Sequence, residues 1–185
     1  MYSKYIKKKF NKKIIKLPKN AFIEFGEVYY LETSSGSFYF GGLSWANKKG
    51  HDFVRKIIKP DKFCLIKSNG YHLDTVFSPV LDSENKLIAV IVAKDMITKE
   101  SFKKLKKLKL KIICVDKKDS CSDDGLGSYA ANCLVGKGVL ISGAHFFTKN
   151  VEKELNHLGI KFYVVSLPDF NLSGGSVHCL TNELN

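Results

Sequence analysis

Arginine is almost absent from this chain: Arg55 is the only one, and every other member of a basic set of 30 is lysine. Specific readers of bases and phosphates lean on the planar, bidentate guanidinium fork. A formal charge of +12 carried on lysine therefore argues for solvated surface and nonspecific attraction of anions, not for a specific nucleic-acid interface. Cysteine is sparse and unpaired in pattern. The five residues Cys64, Cys114, Cys121, Cys133 and Cys179 are odd in number and show no Cys-x-x-Cys spacing, which speaks against a disulfide framework or a zinc knuckle and fits a reducing, cytoplasmic setting. No apolar run reaches the length of a membrane-spanning helix. The start, Met1-Tyr2-Ser3-Lys4-Tyr5-Ile6-Lys7, lacks the apolar core and small-residue cleavage site of a secretion signal.

What is present suits a globular domain. With 185 residues, 44% of them hydrophobic and 26% charged, the chain can bury one core without disulfides or metal. Lysines crowd a leader over residues 1–19 and the run Lys103-Lys104-Leu105-Lys106-Lys107-Leu108-Lys109, which has the spacing of an amphipathic helix with a wet face. Residues 20–185 are expected to form a single domain.

Within that domain one pattern recurs. A strand from Phe22 to Leu31 turns at Ser34-Ser35-Gly36-Ser37 and returns as Phe38-Tyr39-Phe40-Gly41-Gly42; a helix over 47–58 and a strand over 63–66 follow. The series strand 71–80, strand 87–93, helix 98–109, strand 111–115 repeats it. So does strand 130–135, strand 139–142, helix 148–158, strand 161–165, with Thr98 and Thr148 as helix caps. Three strand-strand-helix-strand units of about 45 residues imply a repeat architecture whose apolar faces pack on a common axis. The final stretch, Ser173 to Asn182, begins a fourth unit or completes one.

Four stretches carry residues with chemistry. In the last, an extended run over 176–182 would send Val177, Cys179 and Thr181 to one face and His178 and Leu180 to the other, so that His178 could not serve Cys179. The glycines Gly174 and Gly175 ahead of it suit a nucleophile presented at the lip of a pocket. In Gly70-Tyr71-His72-Leu73-Asp74-Thr75-Val76-Phe77, strand alternation would place His72 and Asp74 on one face, with Asp74 better placed to hold a shared ligand than to orient His72. In Ile23-Glu24-Phe25-Gly26-Glu27-Val28, Glu24 is the carboxylate expected to meet a cation, and Glu27 the one expected in solvent. One thiol, one imidazole and carboxylates in separate units are the components of a cysteine nucleophile with a general acid/base facing a cationic substrate.

In order along the chain, Ile23-Glu24-Phe25-Gly26-Glu27-Val28, Gly41-Gly42-Leu43-Ser44, His72-Leu73-Asp74-Thr75-Val76-Phe77, Ala130-Ala131-Asn132-Cys133 and Gly174-Gly175-Ser176-Val177-His178-Cys179-Leu180-Thr181 resemble the superfamily of arginine deiminases, dimethylarginine dimethylaminohydrolases and amidinotransferases. The resemblance implies an α/β fold of pentein type, a propeller of ββαβ repeats, here shortened at the N-terminus. It implies hydrolysis of a guanidinium C–N bond through a covalent cysteine intermediate, with neither cofactor nor metal. By similarity Cys179 is the nucleophile, His72 the acid and then the base, and Glu24 and Asp74 hold guanidinium nitrogens, while Ser44 and Asn132 join Asp74 in binding substrate. The family's Gly-Leu-Ser motif typically continues into an arginine that grips a substrate carboxylate. Here Trp45-Ala46-Asn47 follows, which leaves Lys48 or Lys49 as the nearest point charges. The partners implied are a small guanidino substrate, and a second copy or another chain that supplies further repeats. The alternatives are an amidinotransferase and a shortened, non-catalytic relative that binds a cation.

Overall fold

Leu87-Ile88-Ala89-Val90-Ile91-Val92-Ala93 is apolar at every position, the composition of a strand covered on both faces. In the computed structural model, which describes residues 7–11, 13–122, 124 and 126–181, it is the central strand β5 (Leu87–Ala93), buried everywhere except at half-buried Ile88. It pairs antiparallel with β4 (Phe77–Leu81) and parallel with β6 (Lys111–Val115). The connection from β5 to β6 runs through helix α2 (Lys99–Lys107), as a parallel pairing requires.

The same three-stranded plan occurs on either side. β1 (Val28–Thr33), β2 (Gly36–Gly42), helix α1 (Lys48–Ile58) and β3 (Lys62–Ile66) form the first unit. β7 (Leu134–Gly136), β8 (Val139–Ser142), helix α3 (Val151–His157) and β9 (Lys161–Val164) form the third. Each sheet has its middle strand antiparallel to the first and parallel to the third. The third strands open on Lys62, Lys111 and Lys161, so the period is closer to 50 residues than to the 45 expected, because each unit also includes the turn that leads into it. A single apolar cluster joins them, with Phe40, Cys64 and Ile66 of the first unit and Cys133, Leu140 and Leu155 of the third packed around β4 and β5.

Helix starts follow cap chemistry. The Asn47 side chain accepts from Gly50 N at 2.9 Å, and that of Thr98 accepts from Ser101 N at 3.2 Å. In α2 only Ser101 and Leu105 are buried and the lysines stand in solvent, as the spacing of that run implied. The third helix departs from expectation. Thr148 is not its cap, because its hydroxyl donates to buried Asp119, and the helix starts at Val151 after Asn150 at φ +69°.

Three expected strands are shorter than their patterns suggested. The first begins at Val28, preceded by a 3₁₀ turn at Phe25–Glu27; the second begins at Phe77, preceded by a 3₁₀ turn at Leu73–Thr75; the third begins only at Leu134. The C-terminal run is not extended either: Val177 is helical and His178–Leu180 form a 3₁₀ turn. Its last expected residue, Asn182, and the first six residues of the leader lie outside the described residues. Short side chains explain the second and last cases. Thr75 Oγ1 donates to His72 O at 2.7 Å and Thr181 Oγ1 to His178 O at 2.9 Å, local bonds that compete with a sheet ladder.

Candidate active site

The three turns that replaced strand bring the chemistry together. Glu24 immediately precedes the turn at Phe25–Glu27, His72 immediately precedes the turn holding Asp74, and Cys179 lies within the turn at His178–Leu180. All four side chains line one cleft of about 410 Å³, whose walls also include Phe25, Tyr71, Phe170, Gly174 and Gly175. Cys179 is exposed at this cleft, whereas Cys64, Cys121 and Cys133 are buried. Cys114 is exposed elsewhere, on β6.

His72 Nε2 donates to Glu24 Oε2 at 2.7 Å, a pair whose side chains are 18% and 49% exposed. Glu24 therefore holds the imidazole as well as bordering the cleft. Gly26 makes this approach possible: a Cβ there would stand 2.6 Å from His72 Nδ1. Tyr71 packs on the same imidazole with ring centroids 4.5 Å apart.

Asp74 is 1% exposed and does not orient His72. Its Oδ2 accepts from His178 Nδ1 at 2.8 Å and from the Cys179 thiol at 3.8 Å, while its Oδ1 is buried with no protein partner. His178, expected on the face away from Cys179, thus shares a carboxylate oxygen with it. The turn accounts for this, since residues one apart in a 3₁₀ turn are about 120° apart around the axis instead of on opposite faces. His178 is itself buried, stacked against Phe25 at 5.9 Å and tilted against Tyr29 at 4.8 Å. Burial, and after it the negative charge of Asp74, pushes the Cys179 thiol above its ordinary value.

Two expected substrate contacts have other work. Asn132 is fully buried; its Oδ1 accepts from His178 N at 3.0 Å and Cys179 N at 3.4 Å, and its Nδ2 donates to Asp74 O at 3.1 Å. It ties the cysteine turn to the aspartate turn and does not face the cleft. Ser44 is also off the cleft wall. Its hydroxyl meets Ser68 Oγ at 3.1 Å and its N–H donates to Glu27 Oε1 at 2.9 Å.

Glu27 reverses its expected place. It is fully buried and accepts from Ser44 N, Trp45 N and Leu73 N, fastening the first turn to the loop after β2 and to the second turn. Gly42 makes room for it, since a Cβ there would lie 1.6 Å from Glu27 Oε2. A carboxylate can be buried when three backbone donors meet it. The pattern Gly-Glu before a strand did not reveal those donors, which come from residues 17 to 46 positions away. One missed signal was available: His72-Leu73-Asp74-Thr75 and His178-Cys179-Leu180-Thr181 share His-x-x-Thr, the side-chain grammar of a turn.

Among the described residues, no group of three or more His, Cys, Asp and Glu side chains is arranged to hold a metal ion, and no helix is long and apolar enough to cross a membrane.

No family model matches this sequence, and no curated protein sequence matches it. Solved structures do. The chain superposes on the substrate-bound N-terminal domain of ArgZ, an arginine dihydrolase from the ornithine–ammonia cycle in cyanobacteria, with a TM-score of 0.77 and 18% identity over 97% of this chain and 63% of that one. It matches AgrE in complex with L-arginine with the same TM-score and identity, over 97% of this chain and 26% of that one. It also matches DDAH from Pseudomonas aeruginosa in complex with citrulline, with a TM-score of 0.66 and 15% identity, over 94% of this chain and 60% of that one. The chain therefore spans about three fifths of the ArgZ domain and of DDAH. The likeness is one of fold, and the fold of this chain is the mixed α/β fold of the pentein domains found in those guanidino-modifying enzymes.

Proposed function

We propose that this chain is a guanidino-group hydrolase in which Cys179 is the nucleophile. The observation that carries the reading is Asp74: a buried carboxylate on the cleft wall with one oxygen unpartnered and the other shared by Cys179 and His178. A buried, unsatisfied carboxylate oxygen is costly until a donor meets it, and a planar cation brings charge and N–H groups together. The fold shared with an arginine dihydrolase and with DDAH supports the same substrate chemistry.

On this reading a guanidinium docks on Asp74 and Glu24, next to Cys179. Its positive charge opposes both causes that hold the thiol above its ordinary value, so when substrate is bound the thiol gives its proton to His72 and the thiolate forms. The sulfur attacks the central carbon, forming a C–S bond. His72 gives a proton to one nitrogen, whose C–N bond breaks and whose amine leaves, and a covalent amidino-cysteine remains. His72, now neutral and held by Glu24, takes a proton from water. The resulting hydroxide adds to the carbon, and the C–S bond breaks as the added hydroxyl's proton passes to sulfur, releasing a ureido product and restoring the thiol. The three units are blades of a propeller in this reading, and its other blades come from further repeats on this chain, a second copy or another chain.

The test is turnover of arginine, methylated arginines, agmatine and peptidyl arginine to ureido product, with Cys179→Ser as control. A haloacetamidine should also label Cys179. The absence of both turnover and adduct would defeat the reading.

A further inference from the structure

The charge around the cleft is opposite to that of the chain. Although the sequence carries +12, the charged side chains lining the cleft are Glu24 and Asp74, with His72 beside them, and no lysine or arginine is among its described lining residues. The lysines nearest in sequence to the Gly42-Leu43-Ser44 loop are engaged elsewhere. Lys48 pairs with Asp52 on its own helix, Lys49 Nζ donates to Lys19 O at 3.0 Å, and both border a separate hollow with Pro18 and Phe53. They are held there by construction: Asn47 caps α1 and also accepts from Phe22 N at 3.2 Å, while Glu27 fixes the N–H groups of Ser44 and Trp45.

Beside Cys179, Thr75, Ser173 and three glycines, the rest of the wall is three aromatic side chains. Phe25, Tyr71 and Phe170 are 51%, 55% and 47% exposed, and Tyr71 is braced on Trp45 at 5.3 Å between ring centroids. Such faces favour an apolar or cationic stem. A carboxylate on that stem would meet two like charges and give up hydration with no cation among the described lining residues of these three units to replace it.

Resting on the hydrolase reading above, we propose that the cleft selects a guanidinium whose stem carries no free carboxylate, so that the preferred ligands are alkylguanidines and amide-blocked arginine, not arginine itself. Arginine and argininamide differ only in the group at issue. Binding of both, and of propylguanidine, is measured by calorimetry on the full-length Cys179→Ser variant, while wild-type protein is treated with chloroacetamidine, an amidinium with no stem. Argininamide should bind at least about tenfold more tightly than arginine, with propylguanidine on the tighter side, the scale of one unfavourable charge contact in a partly wet site. Tyr71→Ala should weaken propylguanidine binding to the Cys179→Ser variant several-fold.

Arginine binding as tightly as argininamide in a protein whose Cys179 is labelled overturns the selectivity and leaves the hydrolase reading standing. Labelling without measurable argininamide binding overturns it as well. If no ligand binds and Cys179 is not labelled, the hydrolase reading itself fails and the inference falls with it.

Discussion

The turns at His72-Leu73-Asp74-Thr75 and His178-Cys179-Leu180-Thr181 share a sequence pattern and the bonds from threonine to histidine carbonyl, and differ in what surrounds their histidines. In both, the threonine N–H and hydroxyl donate to the histidine carbonyl, at 3.2 and 2.7 Å in one turn and 3.0 and 2.9 Å in the other. In both, the histidine donates to a carboxylate, at 2.7 and 2.8 Å. Yet the His72–Glu24 side chains are 18% and 49% exposed, while those of His178–Asp74 are 8% and 2%. An ion pair open to solvent contributes about 0–1 kcal/mol and can exchange partners, which suits a group that must give and take protons. A buried pair is held because breaking it strands a charge, which suits a scaffold. Equal local chemistry thus yields a solvent-open imidazole at the rim, where an acid/base is proposed, and a buried support beneath the proposed nucleophile.

Substitutions can separate those roles. The largest expected effect is on turnover: Cys179→Ser should reduce product formation by at least about 10³-fold, with a melting temperature close to that of the parent. His72→Ala should follow, at about 10²-fold or more in rate with less than about 1 kcal/mol lost in denaturant unfolding, because its carboxylate partner stays solvated. His178→Ala should show the reverse signature, with about 3 kcal/mol or more lost in unfolding, since Asp74 would be left buried without its donor. If the two histidine variants gave the same pattern, the comparison would collapse.

Asp74→Asn sharpens it. Removing that charge removes one of the two main causes that hold the Cys179 thiol high, so the pH midpoint of iodoacetamide alkylation should move down, and an unchanged midpoint would deny Asp74 that influence. A last prediction, with no effect at neutral pH, concerns the core beneath both turns. Burial raises the thiols of Cys64 to about 11 and Cys133 to about 12 from an ordinary 9.0. The unfolded chain releases these protons near pH 9 while the folded chain retains them. Stability is therefore full below pH 9 and should fall by roughly 1.4 kcal/mol per pH unit for each thiol as pH rises from there, until Cys64 titrates near 11 and Cys133 near 12. Alkaline unfolding of a Cys64→Ala, Cys133→Ala double variant should be shallower.

Much of the fold was legible along the chain. β5 and β6 begin and end where their apolar runs do, and α1 and α2 start on the caps that Asn47 and Thr98 supply. Glu24, His72, Asp74 and Cys179, which the sequence singled out as candidates, line one cleft. What a period of two could not give was direction. Reading 71–76 and 176–182 as strand put His178 out of reach of Cys179 and left Asp74 beside His72, whereas the turns pair Asp74 with His178 and send His72 to Glu24. The fates of Glu24 and Glu27 were exchanged in part for a similar reason: nothing local to Gly26 announces that Ser44, Trp45 and Leu73 will offer three N–H groups to Glu27.

The sequence by itself determined three ββαβ units, the Thr98 cap that starts α2 and a short set of side chains able to carry chemistry, because periodicity, cap chemistry and residue type act over a few positions. Only the tertiary structure decided which carboxylate each histidine meets, that Asn132 anchors the cysteine turn, and that Lys48 and Lys49 face away from the cleft. Those outcomes depend on donors and acceptors brought together from distant positions, and on the desolvation that makes a carboxylate accept whichever donors reach it.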